Sequence, residues 1–232
     1  PLWEEYCNKN DIGIIVFHQD LIPKDYFAWK KATWQKLMIG TVLKENRINI
    51  SNICYLDTDI LINPYAPNVF DKYDNKTIAL VSIKKDIPQS LDETLRRESF
   101  LRNFHYDNKY PLDSALFKSI DELFRFHNLK TQDNFFCAGF FVFNLENHSN
   151  LMKKIFDKYP SDIKSITDGG DQTHLNYEFL KYGNISWLNY RFQAIWVYEM
   201  AWKYPFLYNF GRNNEELIRE CIEASLYQNY FL

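Results

Sequence analysis

Residues 52–62 read Asn52-Ile53-Cys54-Tyr55-Leu56-Asp57-Thr58-Asp59-Ile60-Leu61-Ile62. A short apolar run stops at an acid, passes through an acid–Thr–acid triplet and becomes apolar again. Such a run, bounded by polar residues, reads as a buried strand. In an open α/β sheet, ligands collect outside the carboxyl ends of strands. Two carboxylates on alternate residues repel each other unless a positive group lies near them. A hard divalent ion answers that need, because Mg²⁺ and Mn²⁺ bind through few carboxylates plus substrate phosphates. A bulge after the strand would let both Asp57 and Asp59 reach one ion, one of them through water. The plain alternative is a strand-end turn, where Asp is favoured for local hydrogen bonding.

Working outward, residues 12–17 form a continuous apolar run of the kind found in buried parallel strands. Residues 27–45 carry apolar side chains at helical spacing (Ala28, Ala32, Leu37, Val42, Leu43), and 2–9 suit a helix. Further strands are expected over 77–83, 135–145, 185–188 and 226–232. Helices are expected over 147–159, with Asn147 or Ser149 as cap, over 171–182, closed by Gly183, and over 213–224, capped by Asn213 or Asn214. This alternation argues for an α/β fold with a largely parallel, Rossmann-like central sheet flanked by helices. Residues 84–134 depart from it: polar, broken by Pro88 and Pro111, with helices expected over 91–104 and 113–129. That stretch is either a solvated helical excursion or a lid over a site. No linker divides the chain, so 1–232 reads as a single domain.

The 232 residues are 46% hydrophobic and 18% aromatic, which argues against disorder because there is ample surface to bury. Acids outnumber bases 30 to 27, which disfavours nucleic-acid binding by bulk charge. No apolar run approaches the roughly 18–20 residues of a membrane helix. Position 1 is Pro rather than an initiator Met, so the chain reads as an excised domain. Cys7, Cys54, Cys137 and Cys221 form no CxxC pair, which disfavours zinc and a disulfide framework. The expected location is cytoplasmic, at the inner face of a membrane if peripheral, with a lumenal home as the alternative.

Two further stretches carry chemistry. Phe136-Cys137-Ala138-Gly139-Phe140 places small residues inside a bulky strand, where a ligand or another backbone approaches closely; the alternative is a packing notch. Asp168-Gly169-Gly170-Asp171-Gln172 sets a carboxylate and an amide at a helix start, suited to a hydroxylated substrate; the alternative is N-capping by Asp171. Between 187 and 202, Tyr190, Trp196, Tyr198 and Trp202 offer either sugar-stacking faces or core.

Taken in order, YLDTDILI, then FFCAGFFVFN, then GGDQTHLN resemble glycosyltransferases of the GT-A fold. The likeness is to the retaining family 8 group, similar to glycogenin and to lipopolysaccharide galactosyltransferases. The resemblance covers most of the chain and is motif-deep. It implies transfer of a hexose from a nucleotide-sugar, UDP-linked by expectation, to a glycan or other hydroxyl acceptor, as in surface-polysaccharide synthesis. It implies Asp57 and Asp59 as ligands of Mn²⁺ (or Mg²⁺) and sugar contacts from Ala138, Gly139, Asp171 and Gln172, the last two nearest the reacting centre. Trp34-Gln35-Lys36-Leu37 is similar to the family's Arg-Leu helix ahead of the acidic motif. Lys36 is thereby a candidate phosphate or sugar contact, with Lys30 its rival, and Thr58 lies between the two carboxylates as a further candidate donor contact. Cys137 stands where the family usually has Asn. The family's third metal ligand, a His on a late strand, has no counterpart here and is expected beyond Leu232, with the opening nucleotide-binding strand ahead of Pro1. His174 is a weak substitute, and His18, His105, His127 and His148 read as surface or packing residues. The competing readings are a sugar-phosphate nucleotidyltransferase, whose Gly-rich phosphate loop is missing, and a non-catalytic carbohydrate-binding or degenerate domain.

Overall fold

The computed structural model describes residues 2–71, 73–90, 92, 94, 96, 119–160, 170–207 and 214–232. Four strands form the sheet: β1 (Asn52–Leu56), β2 (Ile78–Val81), β3 (Phe140–Asn144) and β4 (Ile185–Leu188), in the order β1-β3-β2-β4. β3 is antiparallel to β1 and to β2, and only β2 and β4 run parallel. The largely parallel sheet expected from the sequence is therefore a small mixed one. The pattern of burial on both faces, taken as a parallel signature, arises here because each face is covered, whichever way the strands run.

Side chains alternate strictly across the sheet. Ile53, Tyr55, Ile78, Leu80, Phe141 and Phe143 face one layer. That layer holds α2 (Ala32–Gln35), a 3₁₀ turn (Lys36–Met38), α3 (Ile39–Glu45), α5 (Leu145–Lys158) and α6 (Gln172–Tyr182). Cys54, Leu56, Ala79, Val81, Phe140 and Val142 face the other, against α1 (Leu2–Asn10), Ile62, Ala66, Val69, Phe192 and Phe231. Beyond the sheet, α4 (Ile120–Phe126) begins in a Ser119–Glu122 capping box. α7 (Trp196–Lys203) and α8 (Glu215–Gln228) follow β4.

Several local expectations change. Residues 12–17 make no strand: Ile14, Ile15, Val16 and Phe17 are 40–55% exposed. Ile12 packs on one face of the sheet and Leu21 and Ile22 on the other, so the run lies where the chain crosses between layers. The helix expected over 27–45 begins at Ala32 and is interrupted by the 3₁₀ turn. Asn144, not Asn147 or Ser149, caps α5, its side chain accepting from Asn147 N at 3.0 Å. Asn214 caps α8 as one of the two expected residues, and Gly183 closes α6 in the left-handed region at φ +80°. α8 runs on to Gln228, so the strand expected over 226–232 shrinks to a bridge between Ile62 and Phe231. Of the helix expected over 91–104, only Asp92, Thr94 and Arg96 are described, and these are helical; the first part of that over 113–129 lies outside the described residues. No helix among the described residues is long and apolar enough to cross a membrane.

His127 and His174 meet edge to face, ring centroids 4.5 Å apart, and Trp34 and Tyr159 also lie against His174. Burial pushes His127 down to about 4, and it lowers His174 and the fully enclosed His148 as well. Each is neutral in the fold and more basic when unfolded. The unfolded chain therefore binds more protons between pH 6.5 and about 4, and stability falls as pH drops through that window. Partial exposure of His127 cuts the roughly 3 kcal/mol of so large a shift to about 1 kcal/mol. Urea unfolding at stepped pH should show this loss, and His127→Phe should flatten it; an unchanged slope in the variant would reject the assignment.

Candidate functional site

The end of β1 and the Cys137-Ala138-Gly139 segment leading into β3 meet side by side. Asp57 N donates to Gly139 O at 2.8 Å, so the ladder continues one step past the strand. A Cβ built on Gly139 would stand 2.8 Å from Asp57 Oδ2 and 3.3 Å from its Cγ. A glycine is thus required for the carboxylate to lie where it does. The Tyr55 hydroxyl donates to Asp57 Oδ1 at 2.5 Å. Burial and the neighbouring Asp57 charge push the Tyr55 pKa far up, so it remains a donor at every accessible pH. Asp57 is half-buried, while Thr58 and Asp59 form the exposed turn that follows.

Each peptide of the small-residue segment is held from outside the sheet. Asn176 receives Phe136 N and donates to Phe136 O, both at 2.8 Å. Gln193 Nε2 donates to Cys137 O at 3.1 Å. Lys36 Nζ donates to Ala138 O at 2.8 Å, and Ala138 N donates to Gln172 Oε1 at 3.4 Å. Buried backbone groups need such partners, and here side chains supply them where the ladder stops.

Lys36 Nζ also lies 2.8 Å from Asp171 Oδ2, with both side chains at least nine-tenths buried, and 5.3 Å from the centroid of the Tyr55 ring. The Asp171 contact is an ion pair by distance without hydrogen-bond geometry, and that oxygen has no hydrogen-bond partner among the described residues. Asp171 occupies the N-cap position of α6 yet makes no capping hydrogen bond. The capping role open to it in the sequence is not taken up, and its charge faces Lys36 instead. Gln172, half-buried on the first turn, leaves its Nε2 without a hydrogen-bond partner among the described residues. Asp168 and Gly169 lie outside the described residues.

The candidates thus divide. Asp57, Lys36, Ala138, Gly139, Asp171 and Gln172 come together at the end of β1. Lys36 is 5% exposed and fully engaged, which makes it a positioning group rather than an open phosphate contact. Lys30 is corrected: its Nζ donates to Phe156 O and to Tyr159 O, the latter at 2.6 Å, capping the C-terminal end of α5. His174 is buried, with Nδ1 on Gly170 O at 3.0 Å. Tyr55, Asn176 and Gln193 were missed as site residues. Asn176 stood inside the quoted GGDQTHLN motif, and Tyr55 on the strand just ahead of Asp57, but neither residue type announces its role in sequence.

Two oxygen-bearing carboxylates, one half-buried and one exposed, match a Mg²⁺- or Mn²⁺-type donor set completed by ligand phosphates. Among the described residues no group of three or more His, Cys, Asp or Glu gathers as a closed metal cage. Asp57 and Asp59 are the described residues that could hold such an ion at this strand end.

Gly139→Ala should push the Asp57 carboxylate aside while leaving the buried ladder intact. Metal-dependent ligand binding is expected to weaken about tenfold or more, since small misplacements at a site are expensive, with an unchanged circular dichroism spectrum. Undiminished binding would mean that Asp57 does not touch the ligand.

Comparison with family models, with curated proteins and with solved structures returns no match for this chain.

Proposed function

We propose that this chain is a metal-dependent glycosyltransferase domain of the GT-A type, moving a hexose from a UDP-sugar to a hydroxyl acceptor with retention of configuration. One observation carries the reading: Asp171, at the N-cap position of α6, makes no capping hydrogen bond and pairs with Lys36, which also grips the Ala138 carbonyl beside Asp57. A carboxylate, an amide and a notch of small residues thereby converge at one strand end.

Asp57, oriented by Tyr55, and Asp59 in the open turn are the residues that would hold the divalent ion. When bound, that ion supplies Lewis-acid stabilisation of the leaving diphosphate. Gly139 gives the Asp57 carboxylate room to lie against the backbone. Lys36 fixes Asp171 at the start of α6, and the pair holds the Ala138 carbonyl in the notch beside Asp57. The Nε2 of Gln172, without a hydrogen-bond partner among the described residues, donates to a sugar hydroxyl. The Asn-to-Cys difference at position 137 removes an amide from the family pattern and leaves sugar recognition to other side chains.

The test is turnover of UDP-, GDP- and CMP-sugars with Mn²⁺ by the full-length protein. Release of nucleotide from one donor, lost on adding EDTA or in Asp59→Ala, supports the proposal. No donor binding at millimolar concentration would overturn it.

A further inference from the structure

The peptide joining Cys137 to Ala138, in the small-residue segment of the candidate site, is gripped on both sides. Its carbonyl accepts from Gln193 Nε2 at 3.1 Å, and its N–H donates to Gln172 Oε1 at 3.4 Å. Gln193 is 8% exposed, and its Oε1 is buried without a hydrogen-bond partner among the described residues. Reversing the amide does not mend this, because Oε1 would then face the Cys137 carbonyl, acceptor against acceptor. Gln89, also 8% exposed, leaves its own Oε1 buried and unpaired in the same way. Both residues line one small cavity, together with Ser82 and Glu199.

Two buried acceptors around one cavity call for a donor, and size and chemistry narrow its identity. The cavity offers about 10 Å³ to the centre of a water molecule, the allowance of one water and of nothing bulkier. Ser82 Oγ spends its proton on Asn134 Oδ1 at 2.6 Å and accepts from Lys84 N and Lys85 N, so it has none to give. Glu199, ion-paired with Lys203, brings acceptors only. Its Oε2 is also met by Ser225 Oγ at 2.7 Å and by Asn229 Nδ2 at 3.0 Å. With that charge answered, nothing offsets the desolvation of a cation here. A water is neutral, fits, and carries two protons for the two glutamine oxygens.

We infer that one buried water bridges Gln89 and Gln193, donating a hydrogen bond to the Oε1 of each, and that it forms part of the grip on the Cys137–Ala138 peptide. Gln89 is thereby a positioning residue: it acts on that peptide through the water and Gln193. The stretch that follows β2 and the segment that leads into β3 are tied together beside the candidate site. Nothing in this bridge depends on the glycosyl-transfer reading.

A high-resolution crystal structure of the full-length protein should show one ordered water within hydrogen-bond distance of both oxygens. Amide hydrogen exchange, followed by NMR, tests the grip in solution. In Gln89→Met the Ala138 amide should exchange about fivefold faster or more, the scale of one buried hydrogen bond, while the amides of β3 keep the parent's rates. Gln193→Met should accelerate Ala138 at least as much, because the direct contact goes too. Adding Gln89→Met to it should change little further, since residues that act through one another are not additive. No water between the two oxygens, or a Gln89 amide turned to donate directly to Gln193, would overturn the bridge. So would an unchanged Ala138 rate in Gln89→Met, or an equal acceleration throughout β3, which would signal lost stability alone. The crystal structure uses the wild-type protein, so a misfolded variant leaves the test intact.

Discussion

Asp57→Asn is expected to lower Mn²⁺-dependent turnover of a nucleotide-sugar by about 100-fold or more while leaving the protein folded. A removed group that stabilises developing charge typically costs on that scale. Asn matches Asp in size, accepts the Tyr55 hydroxyl as Asp does, and sits against Gly139 without a clash. Only the charge is lost, and with it the anionic oxygen donor a hard cation would need under the proposed function. Steady-state turnover against a Mn²⁺ series measures this, with melting temperature as the control. A variant as active as the parent would remove the acidic pair from the chemistry. Asp59→Asn tests the exposed partner separately; the larger loss is expected at Asp57, whose carboxylate is held by the fold.

Lys36→Met is expected to destabilise the fold by about 3–5 kcal/mol, because it strands a buried carboxylate. For a chain of this size that corresponds to a melting temperature lower by roughly 6–20 °C. Asp171 loses its buried counter-charge, and the Ala138 carbonyl loses its donor. The double variant Lys36→Met/Asp171→Leu should recover most of the loss, since an apolar replacement of a buried pair is often neutral. Turnover should not recover with it, because the carboxylate is then absent. A single variant as stable as the parent would show that the pair is not buried in solution.

The strands at 52–56 and 185–188 were legible because short apolar runs end in polar residues, and Gly183 marked the close of α6 through its backbone freedom. Strand direction was not legible. Phe140 to Phe143 are buried on both faces by helices on one side and by α1 and residues 62–70 on the other, so their pattern carries no trace of neighbour polarity. Residues 12–17 misled for the opposite reason: apolar character sets a preference for burial, but whether neighbours cover it is decided elsewhere in the chain. At the site, charged residue types pointed to Asp57, Asp171 and Lys36. The amides of Asn176 and Gln193 could not be read, since their value depends on backbone groups brought close only by the fold. Lys36 stood ahead of its rival Lys30 only through the likeness of Trp34-Gln35-Lys36-Leu37 to the family's Arg-Leu helix, and the two are separated physically by which carbonyls they reach.

Trp3 Nε1 donates to Ile60 O at 2.8 Å, and Leu61 and Leu232 exchange backbone hydrogen bonds at 2.7 and 2.8 Å. The acidic turn is thus braced on its exit side by two sequence-distant pieces of polypeptide rather than by its own local geometry. Its stiffness is borrowed: trimming the final residues or unwinding the first helix would leave both acids in the sequence yet let the loop that carries Asp59 swing, shifting the two carboxylates relative to each other from a distance.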